Sequence, residues 1–142
     1  MKALSTIVFG TAMLACLSGQ AFAFTSQPDA SPAPAFDAKG IARTETVRRE
    51  YDAKTLAIQV RVDFAPKASF PKHAHPGVEI AYVLKGTIEY EMDGKTYRLK
   101  AGESLYIPAG TPHSARNVGP GITSELATYL VEKDKPIVVI DR

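Results

Sequence analysis

The stretch Leu56-Ala57-Ile58-Gln59-Val60-Arg61-Val62-Asp63-Phe64 alternates without a break. Leu56, Ile58, Val60, Val62 and Phe64 share one face, and Gln59, Arg61 and Asp63 share the other. Successive side chains on a strand point to opposite faces, so this period of two marks a half-buried strand. Downstream, Thr87–Met92 and Lys95–Leu99 repeat the pattern around Asp93-Gly94. Asp-Gly between two alternating runs predicts a hairpin, because both central residues of a type I′ turn need positive φ. Ile88, Tyr90 and Met92 are expected to face inward, with Tyr97 and Leu99 opposite them. Further strands are expected at 79–84, 104–107, 113–117 and 124–131. Pro136 followed by Ile137–Ile140 predicts a last strand or a segment that clasps a sheet edge. No segment from residue 41 onward carries a helical period, and no internal repeat is visible. Many short strands separated by Gly/Pro turns define an all-β sandwich or barrel.

Outward from this core, the N-terminus has a different composition. Lys2 precedes an apolar stretch from Ala3 to Leu17, and Ala21-Phe22-Ala23 closes it. Small residues at Ala21 and Ala23 fit a signal-peptidase site, which predicts a signal peptide over 1–23 and a periplasmic or secreted protein. The apolar run is shorter than the ~20 residues of a spanning helix, so no stable membrane insertion is expected after cleavage. Retention as an anchor and lipidation at Cys16 are the alternatives. Residues 24–40, with Pro28, Pro32 and Pro34 among Ala, Ser and Asp, read as a flexible leader with too few large apolar groups to offset its ordering entropy. The remaining 41–142 are one domain. Cys16 is the only cysteine of the 142 residues, which excludes thiol catalysis and cysteine metal ligands from the domain. The net charge of +2 shows no clustered basic face, so no nucleic-acid partner is expected.

The chemistry concentrates in one stretch. The chain has three histidines, and all of them fall between His73 and His113. Residues i and i+2 of a strand share a face, so His73 and His75 can converge on one ion. Glu79 follows Pro76-Gly77-Val78, read as a turn, and His113 follows the turn Pro108-Ala109-Gly110-Thr111-Pro112. Neutral imidazoles with one carboxylate form a mixed N/O set suited to a divalent transition metal: Mn, Fe, Co, Ni or Zn. A single histidine is ordinarily a surface or core residue. Three with compatible spacing beside a strand glutamate favour a metal site.

The segment His73-Ala-His75-Pro-Gly-Val-Glu79-Ile-Ala-Tyr-Val-Leu-Lys-Gly86 resembles the first cupin motif: HxH, three residues, Glu, six residues, Gly. The segment Gly102-Glu-Ser-Leu-Tyr-Ile-Pro108-Ala-Gly110-Thr-Pro-His113-Ser-Ala-Arg-Asn117 resembles the second, with every fixed position present. The resemblance covers about residues 67–117. It implies a small single-domain cupin, an RmlC-like jelly roll or double-stranded β-helix. It also implies one metal per chain on His73, His75, Glu79 and His113 near the wider mouth, with about two coordination positions left open. Gly86, Gly102 and Gly110 are then turn residues, and Asn117 a strand-end hydrogen-bonder. The first motif usually opens with glycine six residues before its first histidine. Here that residue is Lys67, so the turn after Pro66 is expected to be type I or a wider loop.

Cupins perform many functions, so the fold does not select one. The enzyme reading is a metal-dependent, dioxygenase-like oxidoreductase acting on a small oxygen-chelating molecule, with Glu79 as catalytic base as well as ligand. The alternatives are a non-catalytic metal or small-molecule (sugar) binding module and a metal-dependent isomerase or lyase. The remaining wall is expected to be apolar, from Ile58, Val60, Phe64, Tyr90, Met92 and Tyr106, which suits a phenolic or dicarbonyl compound. The resemblance to small cupins implies a homodimer built by sheet-to-sheet packing, and an edge strand and an exposed apolar face in so small a domain also need covering.

Overall fold

The computed structural model describes residues 33–140. The expected signal peptide over 1–23 and residues 24–32 of the expected leader over 24–40 lie outside the described residues.

Ten strands follow in chain order: β1 (Ile41–Glu50), β2 (Thr55–Phe64), β3 (Ser69–Ala74), β4 (Gly77–Lys85), β5 (Thr87–Met92), β6 (Lys95–Lys100), β7 (Ser104–Ile107), β8 (His113–Asn117), β9 (Thr123–Glu132) and β10 (Val139–Ile140). They form two antiparallel five-stranded sheets, in the orders β1-β2-β9-β4-β7 and β10-β3-β8-β5-β6. The chain crosses repeatedly between the sheets, which is the jelly-roll barrel. The alternation of β2 is realised: Ile58, Val60, Val62 and Phe64 are buried in the common core with Ala81, Val83, Ile88 and Tyr90. Asp63, on the polar face, is nevertheless buried. It accepts hydrogen bonds from Arg61, at 2.9 and 3.1 Å, and from the Ser124 hydroxyl.

The hairpin also forms as read. Asp93 and Gly94 have φ of 52° and 70°, the double positive φ of a type I′ turn. Tyr97 and Leu99 stand opposite Tyr90 and Ile88. Gly86, Gly102 and Gly110 all have positive φ at turns. Asn117 ties together loops at one end of the barrel. Its side-chain amide donates to the carbonyls of Phe64, Ala65 and Gly121 and accepts from Gly119 N–H and the Thr123 hydroxyl.

Three expectations are corrected. Pro76-Gly77-Val78 is not a turn throughout, because β4 already begins at Gly77. Glycine is required there for close approach: a Cβ would lie 2.0 Å from the Leu130 carbonyl oxygen and 2.6 Å from Val131 Cα. Lys67 adopts φ 66°, and Ala68 N–H donates to Ala65 C=O across it at 3.0 Å. The turn therefore keeps the positive φ that glycine ordinarily supplies, where a type I turn or wider loop was expected. Tyr106 points outward, 58% exposed, while its neighbours Leu105 and Ile107 face the core. A four-residue strand of large side chains carries too short an alternation to set its own phase.

Candidate metal centre

β3 and β8 pair so that His73 stands directly opposite His113. His75 follows one residue beyond the end of β3, and Glu79 enters from the opposite sheet on β4, paired with Tyr129 and Ile107. The four side chains called from the sequence therefore meet. One donor atom from each lies within 4.8 Å of the others, and none of the four residues is more than 5% exposed.

The backbone sets which ring nitrogens face inward. Nδ1 of His73 lies 2.9 Å from Pro71 C=O, Nδ1 of His75 2.5 Å from Ile137 C=O, and Nδ1 of His113 3.0 Å from Thr111 C=O. A carbonyl only accepts, so each Nδ1 donates, and a neutral ring then presents a bare Nε2 lone pair. The contact to Ile137 also explains the C-terminal segment. β10 pairs with His73 and Ala74, so the expected edge clasp exists and orients a candidate ligand.

The donors converge on one another without satisfying one another. Glu79 Oε2 lies 2.9 Å from His75 Nε2 and 3.3 Å from His113 Nε2, yet His75 Nε2 and Glu79 Oε2 have no well-formed hydrogen bond. Lone pairs aimed at a common point in a buried site are costly unless a cation lies between them. Ligands at right angles and ~2.1 Å from an ion stand ~3.0 Å apart, close to these separations. The residues fit a divalent metal on this ground.

Electrostatics agree with a deprotonated donor set. Burial, followed by repulsion from His113, holds the His73 imidazole down to about 4, so it is neutral near pH 7. Burial acts to raise the Glu79 carboxyl, but contacts to His113 and His75 outweigh it and keep the carboxylate ionised. Around the donors is a cavity of about 30 Å³, room for about one water-sized group.

The cavity wall departs from the apolar one expected. Phe64 and Tyr90 do line it, but Ile58, Val60, Met92 and Tyr106 do not, and two charged residue types do: Arg43 and Glu125. Glu125 is buried and accepts a hydrogen bond from the Tyr90 hydroxyl. Burial, then the charge of Glu79, pushes its carboxyl up to about 8. The sequence reading missed Arg43, Glu125 and Tyr129. Glu125 and Tyr129 carried a signal, because they share the inward face of β9 with Thr123, Ala127 and Val131.

Fold and donor set together define a jelly-roll barrel of the cupin type. Residues 60–129 match the family model described as cupin domain, and all four candidate ligands fall within that stretch. Oxalate oxidase 2 of Hordeum vulgare is 35% identical over 85 residues, covering 53% of this chain and 38% of that protein. Quercetin 2,3-dioxygenase of Bacillus subtilis (strain 168) is 47% identical over 49 residues, covering 34% of this chain and 14% of that protein. The solved structure of KdgF from Halomonas sp. matches with a TM-score of 0.56 at 25% identity, covering 72% of this chain and 88% of that one. The match thus spans less than two fifths of the length of these two curated relatives.

Proposed function

We propose that the protein is an exported metal-dependent enzyme, dioxygenase-like, that acts on a small oxygen-chelating molecule with one divalent transition metal held by His73, His75, Glu79 and His113. The observation that carries this reading is the convergence of bare donors. Three imidazoles are anchored through Nδ1, and they share with Glu79 a buried point where His75 Nε2 and Glu79 Oε2 have no hydrogen-bond partner. Bound there, a first-row ion would supply Lewis acidity and, if redox-active, a place for dioxygen to react. The chain's own residues do the rest. The three backbone carbonyls hold the rings in one tautomer and orientation. Glu79, ionised and buried, is positioned to take a proton from a ligand hydroxyl or enol. The enclosing strands limit water to about one molecule's space. The likeness to an oxalate oxidase and a quercetin dioxygenase supports an oxygen-dependent reaction on a chelating substrate.

The second reading is a non-catalytic metal or small-molecule binding module, favoured by the small volume of the cavity. Metal analysis of protein purified from its native compartment, beside the His75→Ala and His113→Ala variants, tests the metal. Equal occupancy in all three refutes it. Oxygen uptake with flavonol and diketone substrates then separates the readings: metal without turnover across the panel favours the binding module.

Export follows from the expected cleavage after Ala23, and N-terminal sequencing of exported protein starting at Phe24 is the expected result. A homodimer fits the outer faces of β4 and β7, where Ile80, Tyr82, Leu84 and Tyr106 are exposed. Light scattering that gives a clean monomer at micromolar concentration refutes the dimer.

A further inference from the structure

Arg43 is solvent-exposed and also lines the cavity of the candidate metal centre. It lies on β1 opposite Val62, on the same strand face as buried Ile41, which pairs with Phe64. Val62 and Phe64 both line the metal-centre cavity, and so does Arg43. The guanidinium carbon stands 4.5 Å from the centre of the Phe70 ring. That ring in turn meets His73 edge-on, with centroids 4.6 Å apart. One aromatic ring therefore separates the cation from the donor cluster. Stacking on a ring face fixes the plane of the guanidinium and leaves its N–H fork available.

The Arg43 backbone pairs with Val62, while its guanidinium makes no hydrogen bond and no ion pair among the described residues. Glu125, a carboxyl group on the same cavity wall, accepts a hydrogen bond from the Tyr90 hydroxyl. A guanidinium that lines the cavity and is oriented by a ring face suits the bidentate geometry of a carboxylate. The candidate metal donors His73, His75, Glu79 and His113 line the same cavity.

We propose that Arg43 is a carboxylate anchor for the ligand of this site. The ligand class is then a short acid, with a carboxylate at one end for Arg43 and an oxygen donor at the other for the metal. The proposal rests on the metal reading above. It narrows the substrate class from oxygen chelators in general to charged ones, such as oxo acids, and disfavours neutral diketones and flavonols.

Acetoacetate and pentane-2,4-dione test this, because they share the 1,3-dioxygen arrangement and differ in the carboxylate. Titration calorimetry on zinc-loaded protein reads binding without redox turnover, and zinc content is measured on the same samples. Arg43→Met is expected to weaken acetoacetate by about tenfold or more, the worth of one charge-assisted contact, and to leave zinc content and pentane-2,4-dione affinity unchanged. Arg43→Lys keeps the charge but not the fork, and should fall between wild type and Arg43→Met. Equal weakening of both ligands would mean that Arg43 only shapes the wall, and would overturn the anchor. Unchanged acetoacetate affinity in both variants, with zinc bound, would overturn it alone. A wild type that takes up no zinc would overturn the metal reading and this inference with it.

Discussion

Gly77→Ala probes how tightly the barrel holds a candidate ligand in place. At this position β4 lies against β9, with Gly77 opposite Val131 and, two residues on, Glu79 opposite Tyr129. The new methyl would sit 2.0 Å from the Leu130 carbonyl oxygen, 2.6 Å from Val131 Cα and 2.8 Å from the Leu130 carbonyl carbon. All three are backbone atoms, so no side chain can swing aside. Restoring an ordinary contact of 3.4 Å moves the strands apart by more than 1 Å locally. Overpacking of this kind costs roughly 1–3 kcal/mol. One or two strained ladder hydrogen bonds add ~1 kcal/mol each. The expected loss is therefore roughly 2–5 kcal/mol, a large share of the ~5–15 kcal/mol that holds a domain together. The same displacement carries Glu79 away from His75 Nε2, now 2.9 Å from its carboxylate, so metal affinity should also fall. Urea denaturation of metal-free protein reads the first effect, and metal content at fixed free metal reads the second. Gly121→Ala is the control, because a Cβ there meets nothing within 4 Å and its φ is not positive. If Gly77→Ala matches wild type and Gly121→Ala in both measurements, the contact between β4 and β9 does not constrain the site and the reasoning fails.

Lys67→Gly should stabilise the protein by roughly 0.5–1 kcal/mol, because relief of the positive φ exceeds the entropic cost of glycine; a lower urea midpoint would contradict this. Metal-free protein should lose stability as pH falls from ~6.5 to about 4, where the unfolded chain protonates His73 and the folded one resists. The shift corresponds to roughly 3 kcal/mol, and a flat urea midpoint across that window, or the same slope in His73→Gln, would refute it. Glu79→Gln keeps shape but removes the carboxylate, so it should reduce metal affinity less than His75→Ala while reducing any turnover more; the reverse order would remove Glu79 from the role of base.

How much of the fold was legible depends on how each strand is solvated. β2 and the β5–β6 hairpin face core on one side and solvent on the other, so their sequences alternate and their positions could be read directly. β1 could not be read this way. Eight of its ten residues are exposed, and Ile-Ala-Arg-Thr-Glu-Thr-Val-Arg-Arg-Glu carries no apolar file because an edge strand need not bury one. Pro76-Gly77 has the composition of a turn, and composition alone does not distinguish a glycine needed for positive φ from one needed for close approach to a neighbouring strand. Lys67 shows the converse: a lysine holds the conformation that its residue type argues against, because the Ala65–Ala68 hydrogen bond sets the turn.

The four metal-donor candidates were legible because strand spacing constrains them. His73 and His75 are two apart, and Glu79 and His113 each follow a return of the chain. The wall opposite them was not, because its polar members belong to strands read for their apolar pattern. On β9, Thr123, Glu125, Ala127, Tyr129 and Val131 all point inward, and four of these five positions are ordinary core or strand residues. The fifth is a carboxyl group buried in the barrel, and such a group needs a partner or a cavity. Here it has both, a Tyr90 hydroxyl and the space beside the metal donors. Arg43 borders the same cavity from β1. It is itself solvent-exposed, and so it reads as one more surface cation until the register with Val62 is known. Charge on a strand that borders the cavity is thus a marker of the candidate site. It becomes readable once the phase of the strand is set by its paired neighbour.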